Sequence, residues 1–293
     1  MNSTVSTTQA DSVEQTQSAP EIDENYKLHR RFDRIGRLVG DHGMAKLFGS
    51  RVAVIGLGGV GSFAAESLVR SGIGTVDLVD FDLVCITNSN RQLQAMKGTI
   101  GKSKAEVLAQ RMEGVNPKAV VNAVQYFYND RTSEKLLHPE GQPLDFVVDA
   151  IDNVTAKCHL LATCKQLGIP VVTSTGASGR WDPTAISVQD LGMTMVDPLA
   201  RDVRKILRTQ YGFPDGKKKK FGIPAVVSSE EPGTPLDLTY DNGEGFRCVC
   251  PGGSNGMHSC EKRSVIYGTA SFVTGTFGLV CASVVVKALA GPG

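Results

Sequence analysis

A six-residue turn, Gly56-Leu57-Gly58-Gly59-Val60-Gly61, joins a short apolar run, Arg51 to Ile55, to an apolar-periodic stretch from Gly61 to Ser71. Glycines at Gly56, Gly58, Gly59 and Gly61 let the chain reverse tightly and leave backbone N–H groups open to an anion at the start of a helix. The next apolar run, Thr75 to Asp80, closes on an acid placed to accept hydrogen bonds from a ribose. Strand, glycine turn, helix and strand-end acid together predict a nucleotide site. The plainer alternative, a glycine turn kept for packing, leaves Asp80 without a purpose.

The same alternation continues. Ser103 to Asn116 has helical spacing and stops before Pro117, and Ala119 to Gln125 and Asp145 to Asp149 read as strands. A helix around Thr155 to Leu167 ends at Gly168, after which Ile169 to Ser174 resumes the strand pattern. Repeated βα units predict an α/β fold: a Rossmann-like, doubly wound, mostly parallel sheet with helices on both faces and ligands beyond the carboxyl ends of its strands. After Gly176 the pattern changes. Asp197 and Pro198 look like the cap and first residue of a helix reaching Arg208, and Pro214 to Gly256, rich in Gly, Pro and Ser, reads as a loop.

At 293 residues and 41% hydrophobic, the chain can bury one large core without disulfide staples. Its seven cysteines are an odd number scattered along the sequence, which fits reduced thiols and a cytoplasmic setting. Residues 1–25 hold five acids and no Lys or Arg, the composition of a disordered tail rather than of a signal or transit peptide. Val265 to Val286 carries no charge and is long enough to span a bilayer, but its Ser, Thr and Gly content favours a buried or subunit-interface helix. From Arg201 to Lys220 there are eight basic and two acidic residues.

NAD or a triphosphate would both suit the glycine turn. Downstream lie Asn88, Arg91 and Gln92, then Lys102 and Lys104, which supply cations where a triphosphate needs its charge neutralised. Asp149 to Asn153 follows at a later strand end, where carboxylates could hold Mg²⁺ against phosphate oxygens. That combination favours ATP over a hydride carrier.

These residues, from about Arg31 to Gly179, resemble the ubiquitin-activating-enzyme-like adenylyltransferases, the ThiF/MoeB/HesA superfamily. The resemblance implies that Asp80 binds the ATP ribose, that Asn88, Arg91 and Lys104 hold phosphates, and that Asp152 acts with Mg²⁺ near the α-phosphate. Asp82, Gln92 and Asn153 belong to the same expected ATP site. It also implies that Arg34 reaches the γ-phosphate of ATP in a partner subunit, hence a homodimer. The expected division is a tail over residues 1–25, an ATP-binding part over 26–180, and a part over 181–293 that completes the sheet, binds substrate and dimerises.

The acceptor is read from the C-terminal part. The two C-x-x-C pairs common in members that activate ubiquitin-like proteins do not occur. Asp197 to Arg204, Val226 to Glu230 and Thr269 to Leu279 instead resemble the tRNA threonylcarbamoyladenosine dehydratase branch. That branch adenylates the threonyl carboxylate of a modified adenosine beside the tRNA anticodon, and the neighbouring carbamoyl group then closes a ring. The alternative is adenylation of a ubiquitin-like sulfur carrier, and a sulfur-transfer protein partner stays open. Arg201, Arg204, Lys205, Arg208 and Lys217, Lys218, Lys219 and Lys220 are the expected tRNA contacts. Cys248, Cys250, His258 and Cys260 could form a Cys₃His zinc site, but C-x-C is not a usual ligand spacing and unligated loop thiols are the favoured reading. Cys158 and Cys164 read as core residues.

Overall fold

Five of the apolar runs form strands: β1 (Arg51–Ile55), β2 (Thr75–Val79), β3 (Val120–Val124), β4 (Phe146–Asp149) and β5 (Val171–Ser174). The computed structural model describes residues 27–216, 219–236, 238 and 267–291. Two further strands, β6 (Ile186–Asp190) and β7 (Pro224–Ser228), complete one seven-stranded sheet in the order β3-β2-β1-β4-β5-β7-β6. Every neighbouring pair is parallel except β6 with β7. Strand order reverses between β1 and β4, and the crevice at that point is where an open parallel sheet receives ligands.

Alternate residues of the central strands feed two separate cores. Val52, Val54, Val148 and Val172 pack with α1 (Asp33–Gly49), α2 (Gly61–Arg70), α3 (Lys104–Val115) and α7 (Ser271–Ala290). Ala53, Ile55, Val147 and Val171 pack with α4 (Asp130–Leu137), α5 (Val154–Leu167) and α6 (Pro198–Gln210). The period of two explains why these strands read as unbroken apolar runs, because both faces are covered. Each fully buried Val, Leu or Ile contributes about 1.5–3 kcal/mol.

Local chemistry sets the helix ends. Ser103, Asn153 and Asp197 each accept a backbone N–H from the first turn of the helix that follows, and Pro198 fills the first helical position of α6. Gly168 ends α5 in the left-handed conformation, φ 71°.

One sequence expectation is corrected. Pro214 to Gly256 is not one loop, because Pro224–Ser228 is an internal strand between β5 and β6. Its proline stands at the first strand position, and the Gly, Pro and Ser residues on either side masked a run of only five.

The uncharged C-terminal segment is α7, which is long and apolar enough to cross a membrane by composition. Here it is a core helix: Val273, Phe277, Cys281 and Val285 are fully buried. Its Gly278 brings it so near α2 that a Cβ would lie 2.3 Å from the Val60 carbonyl oxygen. Phe272 and Leu279 remain half exposed.

Two ion pairs tie elements together. Arg180 meets Asp197 at 2.8 Å with both side chains 1% exposed, and the same carboxylate accepts the Gly176 N–H at 3.1 Å and caps α6. Asp197→Asn leaves the Arg180 charge buried without its counter-ion, so a destabilisation of about 3–5 kcal/mol is expected in denaturant unfolding. Glu66 joins α2 to α3 through Arg111 (2.5 Å) and also pairs with Arg70 (2.7 Å). Burial alone raises its pKa, but the hydrogen bonds and charges of Arg111 and Arg70 outweigh that and hold it below 4.5. Its stabilising contribution is therefore present above pH 4.5 and lost as pH falls through the depressed value. A Glu66→Gln protein should melt lower than the parent at pH 6, with the gap closing in the acid range.

Candidate nucleotide-binding and adenylation site

The turn after β1 lies at the switch point, and its shape depends on missing side chains. Gly56 has φ 92°, and a Cβ there would lie 2.7 Å from the Ala150 carbonyl oxygen. A Cβ on Gly61 would lie 1.8 Å from the Gly56 carbonyl oxygen, so α2 can start this close to the strand only at a glycine. Beside Gly58 the nearest such contact is Gln92 Nε2 at 3.9 Å, which leaves room on that side of the turn. Gly59 packs against Thr274 of α7 and the aliphatic stem of Arg91.

Asp80 leaves the ladder at the end of β2 and braces this turn. Its Oδ2 accepts the Leu57 N–H at 2.6 Å and its Oδ1 accepts the Asp82 N–H at 2.8 Å. Burial pushes the carboxyl above its ordinary pKa, and the Lys104 charge counteracts part of that. Lys104 enters at the first residue of α3 because the chain around Leu83 bridges back to Ser103. Its ammonium is 2.8 Å from Asp82 Oδ2. Burial disfavours its charge, yet Asp80, Asp82 and Asp152 raise its pKa, so it stays protonated at neutral pH. Two carboxylates and one ammonium thus form a cluster that Asp80 joins to the glycine turn.

The segment after Asp82 carries the remaining polar groups. Asn88 is buried and its Oδ1 accepts the Cys85 N–H at 3.1 Å. Arg91 is half buried and donates to the Thr87 carbonyl at 3.0 Å and Asn90 Oδ1 at 2.9 Å. Gln92 is buried and accepts from Gln94 at 3.1 Å. Asp152 is exposed in the turn after β4, close enough to influence Lys104. Asn153 beside it is the cap of α5. A cleft of about 330 Å³, lined by Phe81, Phe127, Asn129 and Thr132, opens beside Asp80 past the ends of β2 and β3.

One expectation changes. Asp149 is sealed against Lys157 at 2.6 Å and is not available to a metal. Among the described residues no group of three acids, histidines or cysteines could hold a metal by itself. Arg34 is 93% exposed near its neighbour Asp33 at 3.9 Å. Arg31, one helical turn before it, donates to the Val115 carbonyl at the far end of α3 from Lys104. The twelve residues of α3, about 18 Å, therefore lie between the Arg31 contact and Lys104.

The basic face of α6 is also narrower than its sequence. Arg201 and Lys205 point outward, whereas Arg204 donates to Thr194 Oγ1 and Arg208 lies 5.2 Å from the Phe221 ring centre. Lys219 and Lys220 are exposed. Lys217, Lys218, Cys248, Cys250, His258 and Cys260 lie outside the described residues. Burial raises the thiols of Cys158 to about 11 and of Cys164 and Cys281 to about 12, in keeping with core positions.

Gln94, fully buried, was missed by sequence reasoning. It donates to the Leu57 carbonyl at 2.6 Å and so holds the same turn residue whose N–H Asp80 accepts. Its one visible signal was alternation with Gln92 in an otherwise mixed run.

Comparison with known proteins agrees with this architecture. The tRNA threonylcarbamoyladenosine dehydratase of Haemophilus influenzae is 40% identical over 91% of this chain and 95% of its own length. A crystal structure of E. coli tRNA N6-threonylcarbamoyladenosine dehydratase, TcdA, in complex with ATP matches with a TM-score of 0.74 and 37% identity, covering 88% of this chain and 93% of that one. A molybdopterin-synthase adenylyltransferase of Escherichia coli is 30% identical over 50% of this chain and 58% of its own. Residues 32–293 match the ThiF family across nearly the whole described structure, and the chain belongs to that family.

Proposed function

We propose that this protein is an ATP-dependent tRNA threonylcarbamoyladenosine dehydratase. The observation that carries the reading is the protonated Lys104, clustered with Asp82 and with the Asp80 that braces the glycine turn, in a chain whose relatives over nearly their full length bear that name and one of whose structural neighbours is a complex with ATP. The sulfur-carrier alternative has the weaker support, since the molybdopterin-related likeness covers half of the chain.

In this reading the triphosphate runs along the Gly56–Gly61 turn at the start of α2, where backbone N–H groups favour an anion. The remaining lone pairs of Asp80 accept the ribose hydroxyls, and the cleft beside Phe81 and Phe127 receives the base. Arg91 and Lys104 lie along the β- and γ-phosphates. Mg²⁺, when bound, neutralises phosphate oxygens. Asp152, exposed in the turn after β4 and near enough to Lys104 to act on its charge, is the carboxylate that would hold it, whereas Asp149 is sealed from solvent.

A threonyl carboxylate oxygen attacks the α-phosphorus, and the P–O bond to pyrophosphate breaks. Arg91 and Lys104 stabilise the charge that grows on the leaving group. The carbamoyl group within the same nucleoside then attacks the acyl adenylate, which releases AMP and closes the ring with net loss of one water. Proximity supplies much of that second rate, so no enzyme nucleophile is needed. The exposed Arg201, Lys205, Lys219 and Lys220 attract tRNA phosphates.

A homodimer completes the site through the exposed Arg34. The half-exposed Phe272 and Leu279 of α7 suit a subunit contact. A tRNA substrate and reduced core thiols are consistent with a cytoplasmic setting.

Arg91→Ala, Lys104→Met and Asp152→Asn should each lower AMP release with modified tRNA by at least about 100-fold while leaving circular dichroism unchanged. Wild-type turnover would remove that residue from the mechanism. Mass analysis of the anticodon nucleoside after incubation with ATP should show the loss of one water. Arg201→Ala with Lys205→Ala should weaken tRNA binding and flatten the plot of log affinity against log salt by roughly one to two units of slope. An unchanged slope assigns the tRNA to another surface.

A further inference from the structure

Lys157 is among the largest side chains fully enclosed in the protein, at 2% exposure, and has no role in the chemistry described above. All three of its donors are used inside the fold. Its Nζ donates to Asp149 Oδ2 at 2.6 Å, to Thr173 Oγ1 at 3.1 Å and to the Ser174 carbonyl at 3.0 Å. Thr173 Oγ1 donates in turn to the same Asp149 oxygen at 2.6 Å. The other carboxylate oxygen, Oδ1, accepts the Ile151 N–H at 3.1 Å.

A charge pair removed from water to this degree is a poor way to gain stability, because apolar residues of similar shape often do as well. Its position suggests another use. Asp149 is the last residue of β4, and Thr173 and Ser174 are the last two of β5. Lys157 therefore binds the carboxyl ends of both strands beneath the nucleotide crevice. Through Asp149 and the Ile151 N–H it also fixes the turn that follows β4. That turn presents the Ala150 carbonyl to Gly56 and carries Asp152 one residue after Ile151.

We propose that Lys157 is a positioning residue for phosphate chemistry: acting through Asp149, it holds the turn from Ala150 to Asp152 so that the Asp152 carboxylate meets the metal-bound phosphates. The proposal deepens the adenylation reading and rests on it. Lys157 touches no substrate, and its effect travels through one carboxylate and one backbone N–H.

The test is a mutant cycle on the full chain. Lys157→Met combined with Asp149→Asn removes both charges together and strands neither. The pair is compared with Asp152→Asn alone and with all three changes together. AMP release with modified tRNA reads kcat and KM, and equilibrium dialysis of ATP with and without Mg²⁺ reads binding without tRNA. The paired variant should melt near the parent and lose about 100-fold in kcat with less than about a threefold change in KM for ATP. Adding Asp152→Asn should cost little more, and the Mg²⁺-dependent gain in ATP affinity should shrink equally in the paired variant and in Asp152→Asn.

Wild-type kcat in a folded paired variant, or losses that multiply with Asp152→Asn, would overturn the proposal. If the paired variant does not fold, Thr173→Val takes its place, since it strips one donor from Asp149 and leaves both charges. It should lower kcat in the parent but not in the Asp152→Asn background, and equal losses in both would reject the proposal. A parent protein that binds Mg²⁺ and ATP but releases no AMP with modified tRNA would reject the substrate reading alone, and the dialysis cycle would then decide the role of Lys157.

Discussion

The structure depends on how closely two pieces of backbone approach at the switch point. The Gly56 to Gly61 turn has no room for a Cβ at either end, because the Ala150 carbonyl closes one side and its own first carbonyl closes the other. Asp80 then takes the Leu57 N–H, and Gln94 holds the Leu57 carbonyl. Between those ends Gly58 keeps space on its side, the nearest atom to a Cβ there being Gln92 Nε2 at 3.9 Å. Preorganisation of this kind gives backbone N–H groups their strength toward a developing charge.

Charge is distributed around that turn in two layers. The outer layer, Lys104 with Asp80 and Asp82, keeps an ammonium protonated where it faces the crevice. The deeper layer, Lys157 with Asp149, is neutral as a pair and ties β4 to β5. The distinction matters for reading carboxylates at strand ends. Asp149 and Asp152 stand three positions apart, yet one is sealed at 0% exposure and the other is open to solvent.

Much of this was legible in the sequence. The glycine turn, its flanking strand and helix, and the strand-end acid imply one another, so Gly56, Asp80 and the parallel sheet followed from local pattern alone. The cap at Asp197 was visible for the same reason, since it satisfies an N–H three residues on, whereas the caps at Ser103 and Asn153 are seen only in the structure. What stayed hidden depended on distant partners. Lys157 looks like an ordinary helical lysine until Asp149 and Thr173 surround it. The five residues of β7 form a strand because β5 and β6 lie on either side, and their own composition says little. Arg204 and Arg208 counted as free cations in sequence, but Thr194 and Phe221 engage them.

The helix that seals the glycine turn comes from the other end of the chain. Thr274 of α7 packs on Gly59, and Thr269 accepts from Asn90, 179 residues earlier. A nascent chain emerging from the ribosome therefore has its nucleotide loop long before it has the helix that covers it. Domains fold as their residues become available, so this core closes only once α7 has been synthesised, and until then the face of α2 that α7 covers has no partner.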